Sequence, residues 1–427
     1  MQEKNIKTLS FGCRLNAMEC ERIGGMLSRA GVCAVVVNTC AVTAEAERQC
    51  GQAVRKIARE NPGAIIFVTG CAATRNPGLF EKIPGAAVIP NEKKMDLDVY
   101  LGKLSQKNRG NSCPEITGNF DTENKLSKKF IQIQNGCNHD CTYCVTRLLR
   151  GPAVSFEYDE ILANVRAATA DGFGEIVLTG VDAASYVRVY DGRPFLISDL
   201  CRRLLKDAPE IERLRLSSVD PAVPAIRDII KMMKSEPRFM PHLHLSMQSG
   251  SDTILHAMRR RHTADTVRDL ARLANGSVSF SWDIICGFPG ETEELFADTL
   301  ELARELKPIR IHAFPFSPRP GTVAANMPNP VPRNIARARV HKITAVADEN
   351  LREFMERQVG NMCRVLVESD NIARTPDDIP IKIGGAPIPP RTICDVKITG
   401  IDDGVLVGGP SRHRKAVPRP RRTNHLH

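Results

Sequence analysis

Residues 130–151 read FIQIQNGCNHDCTYCVTRLLRG, a strand-like run with alternating faces that delivers Cys137, Cys141 and Cys144 onto one short loop at C-x3-C-x2-C spacing. Three thiolates alone cannot complete a tetrahedral metal site. In a [4Fe–4S] cluster each iron takes one protein ligand, so three cysteines leave one iron open to a small molecule. The alternative is a structural zinc site, which is normally closed by four ligands. His139 lies inside the loop, too near in sequence to close such a site comfortably, so the spacing favours iron–sulfur over zinc.

Downstream of the loop, EIVLTGVD, RLRLSSVD, HLHLSMQSG, SFSWDIICGFPG and RIHAFPFSPRPG alternate with helical patterns. About six strand–helix units in residues 130–325 predict a partial or open (β/α) barrel whose loops at the strand carboxyl ends form one mouth. Upstream, IKTLSFG, AVVVNT and AIIFVTG are separated by helices from about Glu19 to Ala30 and Ala44 to Glu60, which predicts an α/β domain with a parallel sheet. A cysteine follows each of these strands: Cys13 in FGCRLN, Cys40 in NTCAVT and Cys71 in VTGCAAT. A lone cysteine after a strand is usually a small buried hydrophobe. Three such placements along one sheet edge, where ligands bind in open parallel sheets, predict a second metal-binding set. Cys20, Cys33, Cys50, Cys113, Cys201, Cys286, Cys363 and Cys394 lack that placement and are expected to serve packing.

A chain of 427 residues is too long for one core. The composition divides it into an α/β domain at 1–110, a polar connection at 111–128, a barrel at 129–358, a β-rich module at 359–410 and a basic tail at 411–427. The amino terminus lacks an apolar segment of signal length and no run is long enough to span a bilayer, so a cytoplasmic protein is expected. Fourteen cysteines in a reducing compartment point to metal or catalysis rather than disulfides. The formal net charge of +10 suits an anionic partner such as RNA, although Arg412, Arg414, Lys415, Arg419, Arg421 and Arg422 concentrate much of it in the tail. The β-rich module reads as a small OB-like barrel. It has no aromatic residue, and its acids outnumber its bases, so a docking role stands beside RNA binding. The tail either contacts phosphates or is dispensable.

Together, FGCRLN, NTCAVT, VTGCA, GCNHDCTYC, EIVLTGVD, HLSMQSGSDTILHAMRRRH, DIICGFPGETEE and FPFSPRPGT resemble the radical S-adenosylmethionine (SAM) methylthiotransferase family over nearly the whole chain. The resemblance implies an α/β fold with an N-terminal parallel-sheet domain, a central radical SAM barrel and a C-terminal TRAM module. It implies that Cys137, Cys141 and Cys144 hold a radical-generating [4Fe–4S] cluster and that Cys13, Cys40 and Cys71 hold an auxiliary one, both facing one substrate pocket. No side chain is assigned as an acid or base, because the cofactors carry the hard step. Thr179, Gly180, Ser218, Gln248 and Ser249 are the expected SAM contacts; Arg150, Asp182 and Arg261 are the expected substrate contacts. An ordinary strand-ending turn at Gly180 and a satisfied loop hydrogen bond at Gln248 and Ser249 are the plainer readings. Asp220 replaces the family's usual glutamate, and Val145 replaces a frequent proline. NTCAVTAEAER and FPFSPRPGTVAANMP look most like the branch that acts on N6-threonylcarbamoyladenosine beside the tRNA anticodon, with isopentenyladenosine or a ribosomal-protein aspartate as sister substrates. Outside that family, a zinc-containing RNA-binding protein remains as an alternative. The expected partners are tRNA and an electron donor such as flavodoxin or ferredoxin, and the expected state is a monomer.

Overall fold

The computed structural model describes residues 6–106, 116, 117, 120 and 127–410. The basic tail and most of the expected connection at 111–128 lie outside the described residues. At the amino end, β1 (Ile6–Ser10), β2 (Ala34–Thr39), β3 (Ile66–Gly70) and β4 (Ala86–Val88) form a parallel sheet in that order. β2 is buried along its whole length, as a β-branched run covered on both faces should be. Side-chain alternation feeds two cores. Ala34, Val36 and Phe67 pack with Cys20, Ile23 and Leu27 of the helix Arg14–Arg29, whereas Val35, Val37, Ile66 and Val68 pack with Cys50, Val54 and Ile57 of the helix Ala44–Glu60. Thr43 caps that second helix by accepting from the Ala46 N–H at 3.1 Å. Cys33 packs against the second of these cores, as expected, and is in addition disulfide-bonded.

The central part comprises β5 (Lys128–Asn135), the short β6 (Val154–Ser155), β7 (Glu175–Gly180), a hairpin of β8 (Val187–Tyr190) and β9 (Arg193–Leu196), β10 (Arg213–Leu216), β11 (His242–Gln248), β12 (Ser279–Cys286) and β13 (Arg310–Pro315). β5, β7 and β10 pair in parallel, as do β11, β12 and β13, and parallel bridges Leu214–Phe239 and Val219–Leu245 join the two halves. The result is the expected open barrel of parallel strands. The β8–β9 hairpin was not anticipated. Its turn places Asp191 and Gly192 at φ of 51° and 73°, the two positive values that an Asp-Gly hairpin turn needs.

After the helix Arg333–Gln358, five strands, β14 (Met362–Ser369), β15 (Ile372–Arg374), β16 (Pro380–Ile383), β17 (Ile393–Asp402) and β18 (Val405–Pro410), close a barrel in the order β14-β15-β16-β18-β17. Its loop after β15 plugs the amino ends of the central strands. Arg213, at the start of β10, donates to the carbonyls of Arg374 and Thr375 at 3.1 and 2.9 Å, and Arg215 donates to that of Pro376 at 2.9 Å. Ser279, at the start of β12, donates to Asp377 at 2.7 Å, and Lys128, at the start of β5, pairs with Asp378 at 2.8 Å. The acids that set this module apart from an RNA-binding barrel include its docking contacts.

Candidate metal centre

The C-x3-C-x2-C loop starts where β5 ends, at the carboxyl mouth of the barrel. Gly136 turns it with φ of +68°, and a methyl group there would lie 1.9 Å from the Pro152 carbonyl oxygen. The Cys137 N–H donates to the Gly151 carbonyl at 3.1 Å and closes the loop. The His139 and Thr146 amides point at the sulfurs of Cys137 and Cys144, each at 3.4 Å. Such amide contacts stabilise thiolate and cluster sulfur. The Arg260 guanidinium donates to the Cys141 sulfur at 3.4 Å. Burial pushes the Cys137 thiol up to about 11 and also raises that of Cys141, against which Arg260 pulls downward. These thiols must therefore give up protons when a metal binds.

The second set lies at the carboxyl edge of the amino-terminal sheet. Cys13 follows β1, and Cys40 and Cys71 directly follow β2 and β3. The three strand ends crowd together: a methyl group on Gly12 would lie 2.6 Å from the Cys40 sulfur, and one on Gly70 would lie 2.4 Å from the Thr39 carbonyl oxygen. Burial raises the Cys40 thiol, and the neighbouring Cys13 and Cys71 raise it further. Asn16 ties the edge by donating to the carbonyls of Phe11 at 2.8 Å and Thr39 at 3.1 Å.

Zinc–thiolate bonds of about 2.3 Å would bring sulfurs to about 3.8 Å from one another. Among the described residues, the three-ligand group within 4.8 Å throughout is Cys137, His139 and Asp182, not either cysteine triad. Both cysteine triads are wider than that, and each has a buried arginine beside one of its sulfurs. His139, discounted from its spacing, nonetheless lies against Cys137 and pairs through Nε2 with Asp182 Oδ2 at 2.5 Å.

Two cavities flank the loop. One, of about 450 Å³, is lined by Asn138, His139, Ser155, Asp182, Ser185, Arg188 and Arg261. The other, of about 480 Å³, is lined by Cys141, Cys144, Arg147, Leu148, Thr322 and Val323 among others. Asp182 and Arg261 thus share a cavity. Arg150 does not join them. Only 3% exposed, it is paired with Glu19 at 2.8 Å and lies beside Cys71, away from the cavity where its expected substrate contact would fall. Arg188, which the sequence alone did not single out, lines this cavity from β8.

The expected SAM contacts divide in the same way. Thr179 is buried at the end of β7. Gly180 is tightly placed, since a methyl group there would lie 2.9 Å from Gln134 Oε1 and 3.0 Å from the Gln134 carbonyl oxygen. Ser249 is buried, with its hydroxyl bonded to the Ser251 amide at 3.2 Å and the Thr299 hydroxyl at 3.4 Å, as the plainer reading has it. Gln248 ends β11 in the left-handed region with φ of 71°. Ser218 is exposed, while its neighbour Ser217 holds a buried hydroxyl without a partner among the described residues. Asp220 organises a cationic run instead of reaching outward: it lies 3.3 Å from Arg260, 3.2 Å from Arg261 and 3.8 Å from His262. Arg147 and Arg259 both meet Asp140 at the surface. The NTCAVTAEAER and FPFSPRPGT segments come together, because Glu47 pairs with Arg75 at 2.5 Å and with the nearly buried Arg319.

A sequence profile of the Radical SAM superfamily matches residues 131–303, and one described as Uncharacterized protein family UPF0004 matches residues 5–89. The chain is 38% identical to the threonylcarbamoyladenosine tRNA methylthiotransferase MtaB of Rickettsia prowazekii, covering 93% of this chain and 96% of that protein. It is 32% identical to the protein of the same name from Thermotoga maritima, covering 86% and 87%. The fold resembles that of the radical SAM methyltransferase TsrM from Kitasatospora setae, with a TM-score of 0.56 at 14% identity over 76% of this chain and 77% of that one. On these likenesses, the chain belongs to the radical SAM methylthiotransferase family, enzymes that work with S-adenosylmethionine and a [4Fe–4S] cluster.

Proposed function

We propose that the protein inserts a methylthio group at C2 of N6-threonylcarbamoyladenosine in tRNA, at the adenosine 3′ of the anticodon. When bound, SAM and the clusters supply radical hydrogen abstraction and sulfur, chemistry beyond the reach of side-chain bases at an aromatic C–H. The observation that carries this reading is the meeting of two three-cysteine sets through the helix Thr146–Arg150, which begins just after Cys144 and ends on Arg150 beside Cys71. Cys137, Cys141 and Cys144 would hold the cluster that engages SAM, and Cys13, Cys40 and Cys71 a second [4Fe–4S] cluster. Thr179, Ser218 and Gln248 remain the proposed SAM contacts at the mouth, joined by Ser217.

The cavity with Arg188 and Arg261 supports the threonylcarbamoyl branch. Guanidinium groups suit a carboxylate, which the threonyl group carries and an isopentenyl group lacks. Asp182, paired with His139, is proposed to orient that side of the pocket rather than to transfer a proton. Residues 1–110 would carry sulfur transfer, 129–358 the radical chemistry and 359–410 a docked TRAM module. A flavodoxin or ferredoxin is the proposed electron donor to a monomeric, cytoplasmic enzyme. Nucleoside mass spectrometry of tRNA from a deletion strain tests the substrate: 2-methylthio-threonylcarbamoyladenosine is expected to vanish. Loss of only the isopentenyl product would assign the other branch.

A further inference from the structure

Between the two cysteine sets lies a buried ion cluster that the reaction as described does not use. Glu19 is 1% exposed, Lys94 5% and Arg150 3%. Arg150 grips Glu19 with both terminal nitrogens, at 2.8 and 3.2 Å, and also donates to Asn16 at 2.6 Å and Asn135 at 3.2 Å. Lys94 pairs with Glu19 at 2.6 Å and donates to Asn91 at 2.6 Å, and Asn91 in turn donates to the Leu149 carbonyl at 2.9 Å and reaches to 3.9 Å from the Cys71 sulfur. Two cations and one anion leave one positive charge in excess. An uncompensated buried charge is costly, so this arrangement calls for a negative neighbour.

Neutral thiols cannot supply that charge; thiolates holding a cluster can. The Arg150 guanidinium lies beside Cys71, and Asn16, to which it donates, holds the Thr39 carbonyl directly before Cys40. The backbone of the same arginine belongs to the first cysteine set, since the next residue, Gly151, accepts the hydrogen bond that closes the Cys137 loop. Adding an electron makes a cluster more negative, and a nearby fixed cation favours that state. We infer that Arg150, backed by Lys94 and offset by Glu19, is a positioning residue that spans the two cysteine sets and raises the reduction potential of the auxiliary cluster. The inference rests on the two-cluster reading under Proposed function. Arg260 beside Cys141, paired with Asp220 at 3.3 Å, is the equivalent arrangement at the first set.

The test uses the full chain with Cys137, Cys141 and Cys144 replaced by alanine, reconstituted anaerobically with iron and sulfide so that the auxiliary cluster is observed alone. Its midpoint is followed by electron paramagnetic resonance during redox titration. Arg150→Gln is expected to cut the reduced-to-oxidised ratio at the parent midpoint about tenfold, which is 59 mV for one electron. Lys94→Gln should shift the midpoint in the same direction. Glu19→Gln should shift it the opposite way, and Arg150→Lys should stay near the parent. A merely structural role would not give opposite signs. If Arg150→Gln loads no cluster, the opposed pair Lys94→Gln and Glu19→Gln decides. Unmoved midpoints, or equal signs in that pair, overturn the inference alone. A parent chain that takes up no iron and sulfide overturns the two-cluster reading and the inference with it.

Discussion

Gly136 and His262 show how single residues hold the mouth in shape. Alanine at Gly136 would combine a left-handed backbone with a contact of 1.9 Å to the Pro152 carbonyl oxygen, so the first cysteine loop could not close as it stands. Gly136→Ala should lower bound iron in the reconstituted protein to about half, because the second cysteine set lies elsewhere. Iron and sulfide analysis reads this directly, and unchanged iron would contradict the role of the turn. His262 is buried, lies 3.0 Å from the Met247 carbonyl through Nε2, and has its pKa lowered to about 4 by burial and by the Arg260 charge. The unfolded chain takes up a proton near pH 6.5 that the native chain refuses until about pH 4, so stability present above pH 6.5 is lost as pH falls toward 4. The loss attributable to this group is about 3 kcal/mol. Thermal melts of His262→Gln should therefore show a shallower decline over that window than the parent. The importance of Asp220 was legible from its motif. Its role was not, because three consecutive residues, Arg260 to His262, converge on it only in the fold.

At the scale of elements, the strands were readable as short apolar runs bounded by turn residues. β2 and β3 are such runs, buried along their whole length, and the cysteines that follow them are placed by the topology of a parallel sheet. The β8–β9 hairpin escaped notice although its Asp-Gly turn was visible, because VRVY and RPFL are short and largely exposed. Arg188 was missed with it. Docking of the C-terminal barrel depends on Glu175, fully buried and paired with Arg213 at 2.7 Å and Arg215 at 2.8 Å, which present their remaining donors to the plug. Glu175→Gln leaves two buried guanidinium groups without their carboxylate and is expected to destabilise the protein by about 3–5 kcal/mol. Calorimetry should show the loss, with proteolysis near residues 359–410 accelerating as the module undocks. A variant that melts like the parent would mean that the plug is held by backbone contacts alone.

For the whole molecule, composition and motif order conveyed a tripartite chain but not the way its parts meet. Glu47 to Arg319 and Glu19 to Arg150 are ion pairs between residues far apart in sequence, and no spacing rule reports such contacts. They hold the amino-terminal sheet edge, with Cys13, Cys40 and Cys71, against the barrel mouth that carries Cys137, Cys141 and Cys144. The carboxylate pocket adds a specificity claim at this scale: Arg188→Gln should raise KM for threonylcarbamoyladenosine-containing tRNA about tenfold or more while substrate-free SAM cleavage is retained. The central claim is that two cysteine sets serve one reaction in succession. It is tested most directly by assaying Cys71→Ala anaerobically with SAM, a reductant and threonylcarbamoyladenosine-containing tRNA, and measuring SAM cleavage and the methylthiolated nucleoside together. Continued cleavage with no methylthiolated product is expected; methylthiolation at the parent level would contradict a role for the second cysteine set.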